Sequence, residues 1–335
     1  MNDSPHAADA PTPPGPAGVR KKRHHPVLIS IGALLAVILI GVGALGIYLG
    51  AIRNSFDQNV HRSSGIITTS PEAKQGDALN YIVMGTDTRD ANYERGRSDA
   101  LMLVHVPADR KSVTIISFPR DMWVPIPDHG TAKINAAYSW GGMALTVRTM
   151  EQLLGVPIDH VAMTDFQGFK DMTTALGGVT VNNPRASKQD MAFPAGDITI
   201  QGDAALAYVR ERYDLPRGDF DRAERQRTVV QAIMRKALSA DVLANPGQFT
   251  SFVSSFSKYL TIDSGLTDTE LLKTGMSLRG LTGDDIYLLQ APVSGTGWSP
   301  DRQSIDNVDQ AKLAELSTAL KNDTVDQYRT KYPQG

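Results

Sequence analysis

Hydrophobic positions follow three different rhythms along this chain, and each rhythm predicts a different kind of element. From Val27 to Gly50 the run VLISIGALLAVILIGVGALGIYLG carries no charge. At 1.5 Å rise per residue it is long enough to cross a ~30 Å hydrocarbon core. A cleaved signal peptide has a shorter apolar region, about 7–15 residues, followed by a small-residue site. This run is longer and LGAIRNS is a poor site, so a retained transmembrane helix is expected. Farther along, the runs LNYIVMG (79–85), LMLVHV (101–106) and SVTIISF (112–118) read as strands, with PADRK turning the second into the third as a hairpin. The rhythm then lengthens to that of a helix. In GGMALTVRTMEQLLG (141–155), Met143, Val147, Met150 and Leu154 share one face and Gly155 suits a C-terminal cap.

Further helices are predicted over Phe166–Leu176, ended by Gly177 and Gly178 ahead of a strand VTV, and over Phe220–Ser239, 241–259 and 268–279. Thr267 and Glu270 have capping-box spacing at the start of the last of these. Strands alternating with helices argue for an α/β fold, a layered α-β-α sandwich around a central mixed sheet, preceded by one transmembrane helix. The expected organisation is a disordered cytoplasmic tail (1–26), the span (27–50), a stalk (51–78), an α/β domain (79–294), and a polar C-terminal extension (295–335) with one helix near 308–320 and a fraying end.

Charge adds an orientation. RKKRHH precedes the span and only Arg53 closely follows it. Positive flanks stay in the cytoplasm, so the N-terminus is expected inside and the large domain outside, in a single-pass membrane protein. The whole chain carries a net charge of −2 and has 41% hydrophobic residues, enough for a core and without the basic excess of a nucleic-acid binder. It has no cysteine, which excludes disulfides, thiolate zinc sites and a cysteine nucleophile. The seven histidines lack metal-ligand spacing, and there is no G-x-S-x-G elbow, P-loop or dinucleotide fingerprint.

The densest charged stretch is YVRERYDLPRGDFDRAERQRTVV (208–230). In an extended segment Arg210 and Arg212 would project to one side and Glu211 to the other. On the following helix Arg222 and Gln226 share a face that continues through Val229 and Ile233. Guanidinium groups grip phosphate oxygens bidentately, and a helix N-terminus adds donors, so this arrangement suits a pyrophosphate. Taken alone, the same residues better suit a solvated strand and helix of arginine–carboxylate pairs, since Asp214, Asp219, Asp221 and Glu224 are close and exposed charge-rich helices are common. Three other motifs bear on the choice. MGTDTR places Asp87 and Arg89 after the first strand, GRSD places Arg97 and Asp99 before the second, and FPRD places Arg120 and Asp121 after the third. Ligands gather outside strand ends in α/β sheets. Two carboxylates beside a phosphate suit Mg²⁺, or Mn²⁺ in its place; ordinary turn residues are the plainer reading of Asp87 alone. The Val, Leu, Ile and Met side chains of 145–180 suit either core or a slot for a lipid chain.

In this order, MGTDTR, GRSD, SFPRDMWV, KINAAYSWGG (133–142), GFKDMTTALGGV (168–179), YVRER and GDFDRAERQ resemble the LytR-CpsA-Psr family of cell-envelope proteins. Only SFPRD departs, standing where SIPRD is commoner. The resemblance implies an extracytoplasmic phosphotransferase that moves a glycopolymer from a polyprenyl-pyrophosphate carrier onto a peptidoglycan acceptor through a phosphodiester. It implies that Asp87 and Asp99 are associated with Mg²⁺. It further implies that Arg97, Arg120, Arg210, Arg212, Arg222 and Gln226 hold the phosphates, with Arg89 and Lys133 as weaker members, and that Asp219 orients arginines or caps the helix. A pyrophosphatase acting on the same lipid and a non-catalytic lipid-binding regulator are the alternatives.

Overall fold

The computed structural model describes residues 50, 56–67, 76–86, 98–237, 239–243, 245–278 and 280–333. The expected tail lies outside them, as does the expected span apart from Gly50. No helix among the described residues is long and apolar enough to cross a membrane.

The chain first forms β1 (His61–Ser63), β2 (Leu79–Thr86), β3 (Ser98–Val106), β4 (Val113–Ser117) and a small hairpin of β5 (Trp123–Ile126) and β6 (Gly130–Lys133). Helix α1 (Ala136–Leu154), β7 (His160–Asp165), α2 (Phe166–Ala175), β8 (Val179–Asn183) and β9 (Gly196–Ile200) follow. Next come α3 (Gly202–Arg210), α4 (Asp219–Ala237), α5 (Ala240–Leu243), α6 (Pro246–Ser257), β10 (Leu260–Asp263), α7 (Asp268–Ser277) and β11 (Ile286–Gln290). The chain ends in β12 (Val293–Trp298), β13 (Ser304–Val308), α8 (Gln310–Lys321) and α9 (Val325–Lys331).

Seven strands make one mixed sheet in the order β1-β10-β7-β2-β3-β4-β11. β2 runs parallel to β7 and antiparallel to β3, β3 antiparallel to β4, and β4 parallel to β11. The carboxyl ends of β2, β7, β4 and β11 therefore lie along one edge. Alternation decides which side chains meet which layer. Ile82 and Met84 of β2, Leu101 and Leu103 of β3 and Ile116 of β4 pack with Val147 and Met150 of α1 and Leu316 of α8. Tyr81, Val83, Met102, Val104 and Ile115 face the other way, toward Val230 and Met234 of α4. The result is the expected α/β fold with helices on both faces of a mixed sheet. A second apolar cluster, built from α2, β8, β9, α3, α4 and α6, lies beside it.

Helix α1 begins five residues before the predicted helix, because its first turns are separated from the rest by a kink at Gly141 and Gly142. Gly142 has φ 61° and ψ −152°, a region essentially confined to glycine, and a Cβ on Gly141 would meet the Leu145 Cβ at 2.5 Å. Gly142→Ala is expected to lower unfolding free energy by roughly 1–3 kcal/mol, read as a lower denaturant midpoint at constant slope. An unchanged midpoint would show that the kink does not depend on the glycine backbone.

Two predicted boundaries give way to local chemistry. The helix expected over 241–259 is two helices, because Pro246 starts a new one and the Asn245 side chain accepts the Gln248 N–H at 3.1 Å. The predicted capping box of Thr267 and Glu270 is formed. The C-terminal stretch, expected to hold one helix and a fraying end, instead holds two strands and two helices. Leu313, Leu316, Leu320, Val325 and Tyr328 belong to the main core, and Tyr332 donates its hydroxyl to Glu315. The polar look of this stretch reflects its solvent face; its apolar residues fall at helical spacing and are buried.

Candidate active site

The register of the sheet brings several singled-out segments to its carboxyl edge. Thr86 pairs with Ser98 across β2 and β3, with a bulge between that pair and Gly85, and Thr86 pairs with Asp165 across β2 and β7. Asp87, Arg89 and Arg97 lie outside the described residues, but the segment holding them leaves this edge at Thr86 and returns to it at Ser98. Asp99 lies within β3 at the bulge, opposite the end of β2.

At the end of β4 the chain continues through Phe118 and Pro119 to Arg120 and Asp121. The turn is fixed by the Met122 N–H to the Pro119 carbonyl (3.0 Å) and the Asn135 N–H to the Arg120 carbonyl (3.3 Å). Lys133, at the end of β6, donates to Asp121 at 2.9 Å. Arg120, Asp121, Lys133 and Arg212 line one cleft of about 1030 Å³, together with Trp140, Tyr213 and the hairpin β12–β13. The cleft thus gathers three of the predicted cationic residues, contributed by three separate segments of the chain.

Arg210 and Arg212 do not form the expected extended pair. Residues 202–210 are helical, so Arg210 is the last residue of α3, and the extended conformation begins at Glu211. The Arg210 guanidinium lies 5.2 Å from the centre of the Phe166 ring, beside Asp165 at the end of β7. Arg212 is instead held toward the cleft. The Gln189 side-chain oxygen accepts the N–H groups of both Arg212 and Tyr213 at 2.9 Å, and Arg212 donates to the Tyr213 hydroxyl at 2.8 Å.

Glu211 is buried rather than turned to solvent, at 1% exposure. It accepts from Arg225 (2.5 Å), the Ser187 hydroxyl (2.6 Å) and the Gln189 N–H (3.0 Å). Arg225 also donates to Asn183 and Ser187 and stacks over Tyr208. Burial pushes the Glu211 carboxyl up, but the hydrogen bonds from Ser187, Gln189 and Arg225 outweigh it and hold the group below the ordinary glutamate range. This buried pair fixes the turn that presents Arg212.

Arg222 and Gln226 lie on the inward side of α4, apart from the residues that line the cleft. Arg222 is buried, and Gln226 donates to the Val209 carbonyl at 3.4 Å. The Asp219 side chain lies outside the described residues, although its backbone starts α4. Arg227 is buried under the sheet edge, where it donates to Ser117 at the end of β4 (2.6 Å) and to Gln290 at the end of β11 (3.3 Å). Burial pushes its guanidinium down to about 10. Arg225 and Arg227 were not singled out from the sequence. Arg225 stands four residues before Val229, so an extension of the buried stripe would have marked it; nothing in the sequence marked Gln189.

The sequence model of the LytR_cpsA_psr family matches residues 50–322. A Bacillus licheniformis protein named polyisoprenyl-teichoic acid–peptidoglycan teichoic acid transferase TagU is 34% identical, over 90% of this chain and 97% of its own length. An Enterococcus faecalis protein of the same name is 31% identical, over 88% and 95%. The Corynebacterium glutamicum cell wall biosynthesis protein LcpA is 28% identical, over 96% and 72%. Among solved structures, Bacillus subtilis TagV superposes with a TM-score of 0.65 at 28% identity, covering 75% of this chain and 98% of TagV. TagT bound to LI-WTA superposes with a TM-score of 0.61 at 27% identity, covering 79% and 99%.

Proposed function

Since this chain belongs to the LytR-CpsA-Psr family, we propose that it transfers a glycopolymer from a polyprenyl-pyrophosphate carrier to peptidoglycan through a phosphodiester bond. The supporting observation is the cleft at the carboxyl edge of the sheet, where Arg120, Lys133 and Arg212 converge from separate segments. Phosphoryl transfer is catalysed chiefly by positioning and charge neutralisation, which such a wall supplies. Arg120 and Arg212 hold the pyrophosphate oxygens while a peptidoglycan hydroxyl attacks the phosphorus that carries the glycan. The bond from that phosphorus to the bridging oxygen breaks, the lipid phosphate leaves with the electron pair, and the proton of the attacking hydroxyl passes to solvent. Arg210, beside Phe166 at the end of β7, adds a further guanidinium at the same edge.

Asp87 and Asp99 are the residues that would hold Mg²⁺ or Mn²⁺. What supports that role is that Asp99 stands at the bulge of the β2–β3 pairing, at the edge of the sheet, that Asp87 follows Thr86 in the sequence, and that carboxylates are the oxygen donors these ions take. A bound ion would neutralise charge developing on the phosphate oxygens. Asp99→Asn is expected to raise the Mg²⁺ concentration for half-maximal transfer by at least about 10-fold, the size found even for residues that only support a ligand. An unshifted requirement would remove Asp99 from the metal site. The Val27–Gly50 run is proposed as the anchor that keeps the site beside its lipid substrate.

The decisive experiment reconstitutes the full-length chain in vesicles with a synthetic lipid-pyrophosphate glycan and peptidoglycan fragments. Glycan joined to the fragments by a phosphodiester is the expected product. Release of only free phosphorylated glycan, with acceptor present, would make the protein a hydrolase.

A further inference from the structure

One wall of the cleft supplies none of its lining arginines and lysines. It is built by the β12–β13 hairpin, in the stretch the sequence marks only as polar. β12 and β13 pair antiparallel, with Thr296 opposite Asp306 and Trp298 opposite Ser304. Thr296, Ser304 and Asp306 all line the cleft. Side chains two apart on a strand share a face, and directly opposed residues share it too. By that alternation Trp298 belongs to the same face of the hairpin as these three, although it is not itself among the residues that line the cleft, and it is 75% exposed. The hairpin is fixed in place, because the Asp306 N–H donates to the Asp121 carbonyl at 2.9 Å, next to Arg120.

Two aromatic residues line the cleft itself with large exposed surfaces. Trp140 is 49% exposed and packs one side against His129 with ring centres 5.2 Å apart, and Tyr213 is 76% exposed beside Arg212. Indole and phenol rings this exposed leave apolar faces in water, which is unfavourable unless a ligand covers them. The volume is also more than a pyrophosphate needs, standing at the upper end for whole small-molecule sites.

We propose that this wall, with Trp298, Trp140 and Tyr213 as stacking faces, binds the acceptor glycan of peptidoglycan; the identity of that saccharide rests on the transferase reading above. Sugar rings present apolar C–H faces that stack on aromatic rings, and hydroxyls that donate to carboxylates and amides. Charge separates acceptor from donor. The cleft residues supplied by the hairpin include Asp301 and Asp306 and no basic residue, so this wall disfavours the phosphate-bearing donor and accepts a neutral glycan. The attacking hydroxyl then arrives from the hairpin side, beside the turn whose Arg120 meets the pyrophosphate.

The test uses full-length protein in detergent micelles and a soluble, phosphate-free oligosaccharide of the peptidoglycan backbone, with binding followed by calorimetry. Trp298→Ala and Trp140→Ala are each expected to raise its Kd at least ~10-fold, with Trp298→Tyr close to the parent and the KM for the lipid-linked donor within about twofold of it. An unchanged Kd in both alanine variants overturns the proposal, as does a raised donor KM with the Kd unchanged, which would place the donor glycan on this wall. Because binding is read without turnover, a chain that binds the oligosaccharide through these tryptophans but transfers nothing refutes the transferase reading and leaves the saccharide wall standing.

Discussion

Arg120→Ala is expected to lower the rate of glycopolymer transfer roughly 100- to 1000-fold, the range found when one donor to a developing oxyanion is removed. Arg120 stands where β4 ends, on a turn fixed by backbone hydrogen bonds on both sides, and it shares the cleft with Lys133 and Arg212. A guanidinium held there can meet two phosphate oxygens at once, which a lysine cannot, so Arg120→Lys should recover little of the loss. The fall should appear in kcat as well as kcat/KM, because charge on the leaving phosphate grows toward the transition state. Initial rates with saturating donor measure it, and thermal unfolding should move little in parallel. A loss under tenfold, or one confined to donor KM, would reduce Arg120 to a binding contact.

Glu211→Leu should destabilise the domain by about 3–5 kcal/mol, since it leaves Arg225 buried without its carboxylate. The double variant Glu211→Leu, Arg225→Met should recover most of that loss, because a pair of similar-sized apolar residues removes the stranded charge. Chemical denaturation of the three variants gives the comparison, and a double variant no better than the single one would show that the network of Ser187, Asn183 and Gln189 matters more than the charge. Acidity probes the same pair. The Glu211 carboxyl lies below its ordinary value of 4.5, and that of Asp263 lies below 3.8, since the upward push of burial is outweighed by its hydrogen bonds from His160 and from the Val161 and Leu266 N–H groups. Depressed carboxyls contribute stability that is complete above those ordinary values and lost as pH falls through the folded ones. Stability should therefore decline below about pH 4.5, less steeply in Glu211→Gln.

How much of this was legible depended on the length of each pattern. The runs at 79–85, 101–106 and 112–118 became β2, β3 and β4, because a strand covered on both faces writes a nearly continuous apolar run. β1, β10 and β12 are short, and Thr, Ser, Gly and Asp in them read as loop until a partner strand is known. Helix α4 was legible from its stripe of Val229 and Ile233. Its buried arginines were harder to place, since a charged side chain signals solvent until its partner is found elsewhere in the chain. Glu211 shows the same difficulty: the expected strand set it only on the side opposite Arg210 and Arg212, and nothing local marked it as buried against an arginine fourteen residues later. Arg120, Lys133 and Arg212 could be read as a group only through the resemblance; their meeting in one cleft depends on three turns and on Gln189.

The position of α9 has a consequence for the order of folding. Val325 and Tyr328 fill the same core as Ile82 and Leu103, some 240 residues earlier in the chain, and Asp323 accepts the Ala108 N–H at 2.9 Å and touches the buried His105. Contacts across such sequence distances are slow to form, because a long loop must close before they reward it. The part of the core that α9 fills is therefore expected to close after the hairpin of β3 and β4, whose paired residues are near neighbours in the chain.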